Sequence, residues 1–169
     1  MIPMRNRGFS LIELLVVMVI VGVLLGAVVL RMSSSADRAL EEAARRSQAL
    51  IRLACERAAV TGIDVGFSLI DDRWLFGYLR PQGWQPIADA SSEELRPREL
   101  GDGLRHELRR EGQRLELDPE SDRPQLVCLS SGELSPFELR LGLVDGAFRW
   151  RLRGRLDGQI DLEADDAQP

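Results

Sequence analysis

Between residues 9 and 30 the chain carries only two polar side chains, Ser10 and Glu13. Such a run is about as long as a bilayer core requires, roughly 20 helical residues at ~1.5 Å each. From 35 to 61 the pattern becomes one-sided. Leu40, Ala43, Ser47, Leu50 and Ala54 recur at steps of three or four, the period of one helix face. Glu41 with Arg45, and Glu42 with Arg46, are i,i+4 pairs in the favourable order and read as the solvated side. Gly62 is placed to stop the helix. The serines at 33–35 mark a bend or a new cap, because Ser34 and Asp37 have capping-box spacing. Without a break there, residues 9–61 make one helix of roughly 80 Å.

After Gly62 the period changes to two. Val65, Phe67 and Leu69 alternate, Asp71-Asp72 turns, and 74–79 reads as the partner strand before a second turn at Pro81-Gln82-Gly83. Further strands are expected at 104–108, 115–117, 126–129, 137–143, 148–152 and 160–162, with turns at Ser131-Gly132 and Asp145-Gly146. Residues 86–97 and 118–124 read as loops, and 164–169 as a disordered tail. Many short strands after one long helix make an α+β protein, with the helix packed on antiparallel sheets. The expected organisation is a leader at 1–8, an apolar helix at 9–30, an amphipathic helix at 31–62, a β-rich head at 63–163 and the tail.

The N-terminal segment has its own chemistry. Arg5 and Arg7 precede the apolar run and no acid accompanies them, so the N-terminus is expected to stay cytoplasmic while the rest is exported. A secretory signal peptide has a shorter apolar region and a small-x-small cleavage site beyond it. This run is long and continues into a second helical pattern. A simple signal anchor has no use for Glu13, since a carboxylate in a membrane helix costs about 2.5–3.5 kcal/mol on insertion scales. No Asp, Lys or Arg lies between 9 and 30 to pair with it, so its partner belongs elsewhere.

The run Arg7-Gly8-Phe9-Ser10-Leu11-Ile12-Glu13-Leu14-Leu15-Val16-Val17 resembles the class III signal of type IV pilins and pseudopilins. The resemblance implies cleavage by a prepilin peptidase between Gly8 and Phe9, N-methylation of Phe9, and Glu13 as the fifth mature residue. The new α-amino group, with an ordinary pKa of about 7.7–8.0, is mostly cationic at neutral pH. In a filament it can pair with the Glu13 carboxylate of a neighbouring subunit, so that two groups costly alone in hydrocarbon neutralise each other. Glu13 is then an assembly residue rather than a catalytic acid. Gly22 and Gly26 form a G-x-x-x-G in the same helix. Two readings stay open for it: close helix packing, or glycine merely tolerated in a membrane helix.

Composition narrows the function. The 169-residue chain has a net charge of −5, which loss of the two leader arginines would deepen. An acidic exported region is a poor candidate for binding nucleic acid. Arg149, Arg151, Arg153 and Arg155 alternate, either as a phosphate track or as the solvated face of a half-buried strand, and the acidic total favours the second. All 22 basic residues are arginine, which excludes Schiff-base and P-loop lysine chemistry. His106 is the single histidine, and neither metal-ligand spacing, a G-x-S-x-G elbow nor an EF-hand loop is present. No cofactor is expected. Cys55 and Cys128 are either a disulfide, which an oxidising compartment allows, or two buried small apolar side chains.

The segment 126–141, an apolar strand, a Gly132 turn, then Ser135-Pro136-Phe137 and an alternating strand, resembles the C-terminal motif of the H-type minor pseudopilins of type II secretion. The stretch 58–76 is similar to the same group. Cys128 stands where that group usually has an aromatic residue. The resemblance implies a scarce structural subunit near the tip of a pseudopilus, anchored in the bacterial inner membrane with its head in the periplasm. Its implied partners are the other minor pseudopilins, the major pseudopilin, the prepilin peptidase and exported proteins. The rival readings are a minor pilin of the type IV pilus and, from a different class, a membrane-anchored periplasmic enzyme.

Overall fold

The computed structural model describes residues 11–87, 94–115 and 123–165, with only the backbone given for 25–34 and Pro86. The chain divides into two units, Met1–Arg38 and Ala39–Pro169. One helix, α1 (Leu11–Thr61), contributes to both, and its backbone is helical through the serines at 33–35 where a bend was allowed. It ends as expected. Gly62 has φ +68° and its N–H donates to the Ala58 carbonyl at 2.9 Å, a left-handed C-cap that a side chain would strain.

The second unit folds the rest of α1 against two antiparallel sheets. The first has order β3-β2-β1-β7, from β1 (Val65–Ile70), β2 (Arg73–Arg80), β3 (Gly83–Pro86) and β7 (Leu126–Cys128), with β4 (Arg98–Glu99) also on β2. The second has order β10-β9-β8-β5-β6, from β5 (Leu104–Arg110), β6 (Gln113–Arg114), β8 (Phe137–Leu143), β9 (Phe148–Gly154) and β10 (Ile160–Ala164). The β1–β2 connection is the Asp71-Asp72 turn, with φ of 48° and 57°, as a two-residue hairpin of this twist requires.

The core is where the helix stripe meets both sheets. Leu40, Ala44, Ile51, Ala54 and Ala58 of α1 have no exposed surface, so the buried stripe is wider than the predicted face. Phe67 sits at its centre, with Trp74 and Phe76 at 6.1 Å from the first sheet and Phe137 edge-on at 6.3 Å from the second. Gly154 is needed there, because a Cβ would collide with the Phe137 ring. Ser47 is polar yet buried on the apolar stripe, since its Oγ accepts from Trp74 Nε1 at 3.0 Å. Trp84 covers the outside of the first sheet, lying against Gly77 and donating to the Gly66 carbonyl at 3.3 Å.

Several boundaries differ from expectation. Residues 83–86 form β3, because Trp84 gains the Gly66–Gly77 surface as a platform. The strand expected at 115–117 is instead the two-residue β6 at 113–114, set by the tight Glu111-Gly112 turn, and 116–117 lie outside the described residues. Ala164 closes β10 and Asp165 is buried, so the expected tail starts inside the head. Its residues 166–169 are outside the described ones. Glu41 and Arg45 pair at 2.8 Å, exposed and worth little. Arg46 instead donates to the Glu99 and Leu100 carbonyls, at 3.1 and 2.7 Å.

Replacing Ser47 with Ala leaves the Trp74 indole N–H buried without an acceptor. The expected loss is about 2 kcal/mol of head stability, measured by urea unfolding of the full-length protein followed by circular dichroism.

Candidate functional site

Fourteen consecutive residues, Leu11 to Leu24, are exposed in the first unit, and the large apolar side chains among them are 44–89% accessible. Glu13 is the one polar side chain among them. An apolar surface of this extent marks a site for lipid or for other chains. Glu13 faces outward and has no partner among the described residues, so the segment presents a carboxylate that needs a cation from elsewhere. A Cβ on Gly22 would meet nothing within 4 Å, which leaves that face open to close approach. The surroundings of Gly26 are not described, and Gly8, Phe9 and Ser10 lie outside the described residues. Among the described residues no helix is long and apolar enough to cross a membrane. The described side chains of the apolar run stop at Leu24.

In the head, Cys55 of α1 and Cys128 of β7 form a disulfide with their Cα atoms 5.0 Å apart, within the usual span. It joins positions 73 residues apart and is worth about 4 kcal/mol on loop-closure grounds. The helix is also tied to the second sheet, where Gln48 and Arg52 donate to the Ile160 carbonyl at 2.8 and 3.0 Å. These bonds cap the open edge of β10.

The arginine stripe does not form a phosphate track. The β8–β9 register shifts at Leu141/Gly142, with Leu141 opposite Trp150 and Gly142 opposite Phe148, so Arg149 is the extra residue of a bulge. Arg155 lies beyond the end of β9. Acids match the arginines at the far end of the stripe: Arg153 is near Glu138 at 3.7 Å and Glu163 at 4.0 Å, and Arg155 pairs with Asp161 at 2.7 Å. Arg140 and Arg151 stand directly opposite each other, a repulsive pairing on its own. Asp165 resolves it, accepting from Arg140 Nε at 2.6 Å and from Arg151, with its side chain fully covered. Burial alone pushes the Asp165 carboxyl up, but the two guanidinium hydrogen bonds outweigh it and hold it below the usual carboxylate range. Sequence reasoning missed this residue, because the pairing of Arg140 with Arg151 depends on strand register.

The remaining polar candidates have local roles. His106 Nδ1 lies 2.8 Å from Asp72 Oδ1, linking β5 to the β1–β2 turn. Among the described residues no group of three His, Cys, Asp or Glu side chains could hold a metal ion.

A helix that carries an antiparallel head behind an apolar, acid-bearing N-terminal segment defines a pilin-like subunit. Comparison with known proteins agrees. The prokaryotic N-terminal methylation motif matches residues 3–29, and the family model for type II transport protein GspH matches residues 43–158. The chain is 39% identical over 142 residues to type II secretion system protein H of Pseudomonas aeruginosa, covering 80% of this chain and 83% of that one. Its fold resembles that of the minor pseudopilin EpsH of Vibrio cholerae (TM-score 0.65, 24% identity, 78% of this chain and 99% of that one). A looser likeness, TM-score 0.51 at 14% identity over 78% of this chain and 96% of the other, links it to the type IV minor pilin FimU of Pseudomonas aeruginosa. The chain belongs to the GspH family of type II transport proteins.

Asp165→Asn is expected to cost about 3 kcal/mol at neutral pH by leaving two arginines opposed. Because the carboxyl is held below its unfolded pKa of about 3.9, its contribution is complete above that value and fades as pH falls through the lower folded one. The gap between wild type and variant in urea midpoint should therefore close in acid.

Proposed function

We propose that this subunit sits at or near the tip of the type II secretion pseudopilus and helps push folded proteins across the outer membrane. The observation that carries the reading is the joining, in one chain, of a methylation motif over 3–29 to a GspH-type head over 43–158. On this reading the prepilin peptidase cuts between Gly8 and Phe9, and the amine of Phe9 becomes methylated. Residues 9–30 then anchor the subunit in the inner membrane as a single span, with the N-terminus cytoplasmic and the head in the periplasm. Its partners are the other minor pseudopilins and the major pseudopilin, with exported proteins meeting the assembled filament.

Glu13 serves assembly. Its carboxylate meets the N-terminal amine of an adjacent subunit, which lowers the cost of both charges in an apolar surrounding. The exposed apolar side chains around it support this, because they give a neighbouring helix a surface to pack on. Gly22 and Gly26 lie on the same helix and permit close approach. The work is structural rather than catalytic. The balanced ion pairs of the second sheet favour this over a nucleic-acid role for the head.

Glu13→Ala is expected to insert in the membrane normally but to be depleted at least tenfold from sheared pseudopili. Incorporation at the wild-type level would contradict amine pairing. Replacing Gly8 with a bulky residue should leave the leader attached, read as an unprocessed mass of the intact protein.

A further inference from the structure

The two cysteines of the disulfide are unequally exposed. Cys128 has no exposed surface. It is enclosed between β1, where it faces Val65, and the Leu134 segment that bridges to it. Cys55 is only partly buried and lines an open groove of about 420 Å³. Arg52 and Glu56 of α1 form one wall of that groove, and Gly158 of the β9–β10 turn with Asp161 of β10 forms the other. The Gln48 and Arg52 bonds to the Ile160 carbonyl hold the walls at their spacing. Thiol–disulfide exchange needs a nucleophile to reach one sulfur and expel the other, so access decides which sulfur reacts.

We propose that Cys55 is the exchange site of this protein, the sulfur through which a thiol–disulfide oxidoreductase makes and unmakes the bond in the folded head. The partner is a protein with an exposed, reactive disulfide. In the forming direction the Cys55 thiolate attacks one sulfur of that disulfide, giving a mixed disulfide and expelling the partner's other thiolate. The Cys128 thiolate then attacks the Cys55 sulfur, closing Cys55–Cys128 and releasing the partner as a dithiol. This chain gives up two electrons and two protons, and the partner accepts both. Cys128 acts only from inside, as the resolving thiol. The bond spans helix and sheet, so its closure stabilises the head after the fold has brought α1 to β7. The cellular setting rests on the periplasmic placement proposed above, whereas the chemistry does not.

The test uses oxidised full-length protein in detergent, treated with reduced glutathione under native conditions, alkylated, and mapped by peptide mass spectrometry. Glutathione is expected on Cys55, with Cys128 recovered as the alkylated thiol, at a ratio of at least tenfold over the reverse. An even split, first attack at Cys128, or protein purified with two free thiols would overturn the proposal. As a second measurement, reduced Cys128→Ala should take up glutathione from its oxidised form while folded. Reduced Cys55→Ala should stay unmodified until urea is added, and its modification while still folded by circular dichroism would overturn the proposal. If either variant unfolds, the wild-type mapping decides. Selective reaction at Cys55 in a subunit that fails to join pseudopili would sink the filament reading and leave the exchange site standing.

Discussion

A single helix must satisfy two different surroundings, and the rest of the structure follows from that. Along 11–24 it is apolar apart from Glu13, and its large apolar side chains are exposed. From Leu40 onward it keeps one apolar stripe and gives its other sides to charge. The stripe needs a sheet to bury it, and the all-round apolar part needs lipid or like helices. Glu13 is the exception in the second region, and an exception of that cost points to a partner.

The head answers the demand of the stripe with two sheets rather than one. Phe67 and Phe137 meet across them, and the Cys55–Cys128 bond and the Ser47–Trp74 hydrogen bond pin the helix to the first. The outer face of the second sheet is built from charge instead. Its rows of acids and arginines neutralise one another, and the buried Asp165 carboxylate lets two arginines face each other. The run of consecutive exposed apolar side chains lies in the first unit.

Much of this was readable from the residues. The change from a continuous apolar run to a 3.6 period and then to a period of two marked the apolar helix, the amphipathic helix and the head. Glycine and aspartate marked the helix stop at Gly62 and the turn at Asp71-Asp72, because backbone conformation constrains residue type there. Contacts between distant segments were not readable. Alternation in 148–155 shows a strand with arginine on one side, but the bulge at Arg149 and the acid reaching in from Asp165 depend on register between strands. Cys55 and Cys128 likewise allowed a bond without placing their Cα atoms together. Arg46 looked like a helix-surface partner for Glu42 and instead reaches the carbonyls of residues about fifty positions away.

The most direct test of the account is to purify the tagged protein from membranes of cells that express it and identify what comes with it by mass spectrometry. The account predicts co-purification of type II pseudopilins, with the subunit itself beginning at N-methylated Phe9. Recovery of type IV pilus components in their place, or of a chain that still begins at Met1, would contradict it.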